Sequence, residues 1–174
     1  MKKPAIAYWL LPSGDERDLF RQIIGILCRE LDAPKFHPHL TLSVSKAGGK
    51  SPQKALRQIK CAPIRLRTRG VAFSSKYTKT LFVRFKPNRS LEKLIALLGQ
   101  SAETLSGMPR DPHLSLLYKR RISAATEREL ARTIKLPFRE VRFDSIAAVR
   151  MTLPVRNRTD VQAWRIIAKK SLRR

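Results

Sequence analysis

Apolar residues fall into two rhythms along the chain, one helical and one alternating, and the changes between them mark the predicted elements. Tyr8 to Leu11 ends a first strand, and Ser13 followed three residues later by Glu16 is a capping-box signature that opens a helix. Leu19, Phe20, Ile23, Ile24, Leu27 and Leu31 then recur at helical spacing, carrying that helix to about Ala33 before Pro34 stops it. His39 to Val44 alternates polar and apolar residues, Gly48 and Gly49 form a loop, and Ser51-Pro52 starts a short second helix with proline at its first position. Ile64 to Phe73 and Thr80 to Phe85 are predicted strands joined by the polar turn Ser74 to Lys79. Ser90 is expected to cap a third helix reaching about Thr104, with Leu91, Leu94, Ile95 and Leu98 on one side and Ser106, Gly107 and Pro109 as its breakers. A strand from His113 to Tyr118, a helix from Ser123 to about Thr133, a strand from Phe138 to Val149 and a last strand from Val161 to Ala168 complete the pattern.

Several of these strands follow one another without a crossover helix, so an α+β architecture with antiparallel sheets is expected rather than a doubly wound parallel sheet. The chain also looks halved, each half contributing a helix and a histidine-bearing strand. Its 174 residues fit one domain, or two small lobes sharing a core.

Composition narrows the function classes. With 43% hydrophobic residues the chain buries a core, which separates it from basic disordered tails. The longest apolar stretches, Ala5 to Leu11 and Ile23 to Leu27, fall far short of the roughly 18 residues of a membrane span, so no membrane partner is expected. Two lysines and seven apolar residues before Pro12 make no secretory leader, and a cytoplasmic protein is expected. Cys28 and Cys61 have no metal-ligand spacing and read as reduced thiols. The net charge of +24 sets up a field that attracts RNA, DNA, nucleotides and acidic surfaces alike. Its basic residues are spread, with clusters at Arg65, Arg67 and Arg69, at Lys119, Arg120 and Arg121, and at Lys169, Lys170, Arg173 and Arg174. A solvated surface explains any one of them.

The chemistry is concentrated in the histidines. All three of the chain's histidines lie in two near-copies of one segment, His37-Pro38-His39-Leu40-Thr41-Leu42 and Asp111-Pro112-His113-Leu114-Ser115-Leu116. Alternation on a strand puts His39 with Thr41 and His113 with Ser115 on one face, and the leucines on the other. One such strand needs no function. Two copies at half-chain spacing, in a protein so poor in histidine, point to a shared site. His37 has no counterpart in the second copy, where Asp111 stands, and reads as a loop histidine.

Two imidazoles and two hydroxyls lack the carboxylates or thiolates of a metal site, and no cofactor is expected. A Ser-His-Asp triad is equally unsuited, because each hydroxyl lies beside its histidine instead of facing it. In-line phosphoryl transfer fits: one imidazole takes a proton from water, the other protonates the leaving oxygen, and the hydroxyls hold the equatorial phosphate oxygens.

The paired H-x-(T/S)-x segments resemble those of the 2H phosphoesterases. Tyr8-Trp9-Leu10-Leu11-Pro12, Phe36-x-Pro38-His39-Leu40-Thr41, Pro112 to Tyr118 and a closing strand containing Trp164 fall in the order of the plant and fungal 2′,3′-cyclic nucleotide phosphodiesterase branch. Asp111, preceded by Arg110, stands where that branch has an aromatic. The resemblance spans nearly the whole chain. It implies a single bilobal domain over 1–174, with two antiparallel-sheet lobes and outer helices around a central cleft and one motif per lobe. It implies His39, Thr41, His113 and Ser115 as the catalytic set, with Trp9 and Tyr118 lining the cleft for substrate; Tyr118 reaches it only if its strand ends there. The implied reaction is metal-independent hydrolysis of a nucleoside 2′,3′-cyclic phosphate or ADP-ribose 1″,2″-cyclic phosphate to a phosphomonoester by a monomer. Two alternatives stay open: a 2′-5′ RNA ligase-like enzyme processing RNA 2′,3′-cyclic ends, which the charge favours, and a basic nucleic-acid-binding protein with a vestigial site.

Overall fold

The computed structural model describes residues 1–102 and 111–173. Among the described residues there are seven strands, β1 (Lys3–Pro12), β2 (Leu40–Lys46), β3 (Ile64–Phe73), β4 (Leu81–Phe85), β5 (His113–Leu117), β6 (Glu140–Leu153) and β7 (Arg165–Ser171). Five helices accompany them, α1 (Gly14–Glu30), α2 (Pro52–Gln58), α3 (Arg89–Ala102), α4 (Ala124–Thr133) and α5 (Arg158–Gln162), with a 3-10 turn at Tyr77–Lys79. The class is the α+β one read from strands that follow one another without a crossover helix, and every strand pairing among the described residues is antiparallel.

The strands form one sheet in the order β1-β2-β5-β4-β3-β6-β7. The long β6 serves both ends of that order: its first residues pair with β3, while Phe143 onward pairs with β1. The pairings therefore close on themselves and hold the two histidine strands, β2 and β5, as neighbours. Near the middle of β3 the register with β4 shifts between Thr68 and Val71, where Gly70 takes φ +88°, a bulge conformation that a side chain would strain.

The core lies between the sheet and the helices. Phe20, Ile24 and Leu27 of α1, Leu56 of α2 and Leu91, Leu94 and Leu98 of α3 pack with Tyr8, Leu10, Leu40, Leu42, Leu114 and Leu116 from the strands. The opposite face of β1 and β6 is also buried: Ala5, Ala7, Trp9, Leu11, Ala147, Val149 and Met151 form a second cluster, with Val44, Leu153 and Trp164 packed against it. With both faces buried, β1 shows no polar alternation, which is why only its end was legible in the sequence. Its small alanines leave space on that second face, and the cleft occupies it.

Several local expectations change. The Ser13 and Glu16 side chains do not close a capping box: Ser13 Oγ donates to the Arg142 carbonyl at 3.1 Å and Glu16 Oε1 accepts from the Arg142 N–H at 3.3 Å, both lent to β6. Asn88, not Ser90, starts α3, its Oδ1 accepting from the Leu91 N–H at 3.0 Å; Ser90 lies inside the helix. Thr104 and the breakers Ser106, Gly107 and Pro109 lie outside the described residues. Val161 belongs to α5, where the Asn157 side chain accepts from the Asp160 N–H, so the last strand begins only at Arg165. Trp164 accordingly precedes that strand instead of lying within it. Among the described residues no helix is long and apolar enough to cross a membrane.

Candidate active site

β2 and β5 place the site. Leu40, Leu42, Leu114 and Leu116 are at most 1% exposed, and each such burial stabilises the fold by about 1.5–3 kcal/mol, which fixes the opposite face of each strand outward. The two strands meet antiparallel at Leu40 and Leu114. Extended one residue either way, that register sets His39 toward Ser115 and Thr41 toward His113 on one face. All four side chains line a single cavity of about 250 Å³, together with Trp9, Thr78, Tyr118 and Trp164.

The imidazoles are held alike. Nδ1 of His39 lies 2.6 Å from the His37 carbonyl oxygen, and Nδ1 of His113 lies 2.9 Å from that of Asp111. A carbonyl only accepts, so Nδ1 carries the proton in both rings and Nε2 is left for proton transfer. Burial pushes the His39 imidazole down from its ordinary 6.5 to about 4, the charge of His113 adding to the effect and the His37 carbonyl opposing it. Burial also lowers His113, where Lys79 and Lys76 add to it and the Asp111 carbonyl and carboxylate oppose it. Asp111 is itself held in place by two cations, Lys79 Nζ at 2.7 Å and Arg84 Nε at 3.1 Å. Burial raises its carboxyl, but those two partners more than offset that and hold it below the usual carboxylate range.

Aromatic rings wall the cavity. Trp9 lies flat on His39, with ring centroids 3.7 Å apart and planes 13° apart, and Trp164 meets the edges of both. Because β5 ends at Leu117, Tyr118 leaves the strand's alternation and turns to the cavity, stacked on Phe36 with centroids 4.0 Å apart. The Nε1 atoms of Trp9 and Trp164 are buried without an acceptor among the described residues. Ser115 Oγ donates to the Thr78 carbonyl at 2.8 Å.

The structure thus brings His39, Thr41, His113, Ser115, Trp9 and Tyr118 into one cavity. His37 is an exposed loop residue that lines a neighbouring cavity and meets the site only through its carbonyl. Sequence reasoning passed over Thr78 and undervalued Trp164 as a wall. Thr78 carries no local signal, whereas Trp164, one of only two tryptophans, carried a faint one. Among the described residues no group of three or more His, Cys, Asp or Glu side chains is arranged to hold a metal ion.

No family model matches the sequence. No curated protein matches it either. Solved structures do. Apo LigT of E. coli superposes with a TM-score of 0.56 at 18% identity, over 99% of each chain. LigT complexed with 3′-AMP gives 0.56 at 16% identity over 100% of each. A crystal structure of a phosphoesterase gives 0.59 at 15% identity, again over 99% of each chain. By fold, the chain stands with LigT and with that phosphoesterase along essentially its whole length.

Proposed function

We propose that the chain is a 2H phosphoesterase that hydrolyses a cyclic phosphodiester to a phosphomonoester, with His39 and His113 moving the protons and Thr41 and Ser115 holding the phosphate. The observation that carries this reading is the pair of imidazoles in one small cavity, each with Nδ1 tied to a backbone carbonyl and Nε2 left to react.

His39, neutral at pH 7, is suited to be the base: its Nε2 takes a proton from water as the water oxygen bonds to phosphorus. His113, whose proton the Asp111 carboxylate helps retain, is suited to be the acid: it protonates the ester oxygen as the other P–O bond breaks. Each histidine ends in the other's starting state, and exchange with solvent resets the pair. The Thr41 hydroxyl and the Ser115 hydroxyl, once Ser115 turns from the Thr78 carbonyl, donate to the equatorial oxygens as charge spreads over them. A cyclic diester suits so small a cavity, because the ring already holds the phosphate in position.

The fold shared with LigT, a protein solved with 3′-AMP bound, supports a nucleotide-bearing substrate. Nucleoside 2′,3′-cyclic phosphate and ADP-ribose 1″,2″-cyclic phosphate are the small candidates. The charge of +24 favours a second reading in which the cyclic phosphate ends an RNA. The test is incubation with 2′,3′-cyclic AMP, ADP-ribose 1″,2″-cyclic phosphate and an RNA with a 2′,3′-cyclic end, with excess chelator. A phosphomonoester product is expected; no product from any of the three, or product only after a metal is added, overturns the proposal.

A further inference from the structure

Next to the small cavity lies a larger one of about 760 Å³, and the two share Trp9 and Trp164 as a common wall. The small cavity alone falls below the roughly 300–1,000 Å³ of small-molecule sites, and its neighbour falls inside that range. Its lining is basic. Arg21 of α1, Lys35 and His37 of the loop before β2, and Arg165 of β7 all border it, and among the described residues no carboxylate does. Burial of part of its ring lowers His37 below its ordinary range, and the charges of Arg21, Lys169 and Lys35 lower it further. Arg165 is anchored by Nη1, which donates to the carbonyls of Gln162 at 2.6 Å and Trp164 at 2.8 Å. Arg21 has Asp18 at 3.6 Å, an exposed pair worth little in water. Ile166, 43% exposed, adds an apolar surface to the same cavity.

We infer that this cavity is a second anion subsite, which takes a phosphate group borne by the same substrate but separated from the cyclic phosphate by one ribose. The inference rests on the phosphoesterase reading for the neighbouring cavity. Three cations brought together from α1, the loop before β2 and β7 repel one another, and an incoming phosphate relieves that repulsion while accepting charge-assisted hydrogen bonds. Trp164, half-buried and standing between the two cavities, offers apolar surface to the sugar that spans them, with the buried Trp9 behind it. Two kinds of molecule present this chemistry: an oligonucleotide, through its last internucleotide phosphate, and ADP-ribose cyclic phosphate, through its pyrophosphate.

Binding can be read without catalysis, since the chain's two tryptophans both stand at the shared wall and their fluorescence reports occupancy. The probes are 3′-AMP, with one phosphate, the dinucleotide ApA bearing a 3′-phosphate, and ADP-ribose. Wild-type protein should bind the dinucleotide at least about tenfold more tightly than 3′-AMP, as expected of one charge-assisted phosphate contact. The triple variant R21A/K35A/R165A, checked for an unchanged thermal melt, should lose that ratio to within about twofold of unity. A tight ADP-ribose complex lost in the same variant identifies the pyrophosphate as the source, and a tight dinucleotide complex alone identifies the oligonucleotide. If the three substitutions together unfold the chain, R165A alone should reduce the ratio about threefold or more. A wild-type dinucleotide ratio near one together with ADP-ribose binding no tighter than that of 3′-AMP, or tight binding that survives the substitutions, overturns the inference. Failure of the phosphoesterase reading shows separately, as absence of product from every cyclic substrate.

Discussion

The indole of Trp9 covers one face of the His39 imidazole at 3.7 Å, and this stack connects the shape of the cleft to its acid-base chemistry. Trp9 is 1% exposed and His39 5% exposed, so the imidazole is shielded from water on a face where a free histidine would be hydrated. Shielding disfavours the imidazolium, and the His39 imidazole is left neutral at pH 7.

Opening that face should return proton affinity to the ring. In Trp9→Ala the His39 pKa is expected to rise from about 4 toward the ordinary 6.5, and Trp9→Phe, which keeps a ring there, should move it less. NMR titration of the His39 Cε1–H signal measures this. An unchanged midpoint in Trp9→Ala would show that other neighbours supply the desolvation.

Removing either imidazole should slow turnover of a cyclic phosphate by roughly 10²–10⁴-fold, the usual worth of general acid or base assistance. On the proposed mechanism Thr41→Ala and Ser115→Ala would each remove one hydrogen bond to the phosphate, and losses of about 10–10³-fold are expected. Single-turnover kinetics on purified variants, with the fold checked by circular dichroism, gives these numbers. Full activity in His39→Ala or His113→Ala would end the two-histidine assignment.

The pH profile of kcat/KM should be bell-shaped and displaced to the acid side of neutrality. Both histidines are lowered in the free protein, so the acid limb follows protonation of His39 near 4 and the basic limb follows loss of the His113 proton below 6.5. A bound anionic phosphate favours both imidazoliums, so the kcat profile should lie at higher pH than that of kcat/KM. Initial rates across pH at saturating and low substrate test this, and coincident profiles would contradict it.

Asp111 favours the protonated form of His113, while Lys79 opposes it. Asp111→Asn removes the first influence and unpairs the second, so the basic limb and the His113 NMR midpoint should both move to lower pH. A midpoint that stays in place or rises would detach Asp111 from the site's protonation.

The same burial makes stability depend on pH. His39 binds a proton near 6.5 when unfolded and near 4 when folded, so between these values the unfolded state holds the extra proton. Its contribution is fully present above about 6.5 and is lost as pH falls to about 4, a difference on the order of 3 kcal/mol. His39→Gln should flatten the Tm-against-pH curve across that window. Parallel curves for variant and wild type would refute the linkage.

Much of this protein is written in local sequence. Periods of two and of 3.6 residues marked β2, α1 and α3, since alternation and helical spacing are set by backbone geometry within a few residues. The two Pro-His-Leu-(Thr/Ser)-Leu frames likewise declared which side chains share a face before any fold was known. Only tertiary structure decided how the frames meet, because the register of Leu40 on Leu114 joins residues half a chain apart and depends on packing against α1 and α3. It also diverted Ser13 and Glu16 to Arg142, where a backbone partner from β6 replaced the local cap. And it separated two histidines with the same local frame: one lies under an indole, the other beside an aspartate held by Lys79 and Arg84. Desolvation and long-range charge set that difference, and neither has a local period to be read.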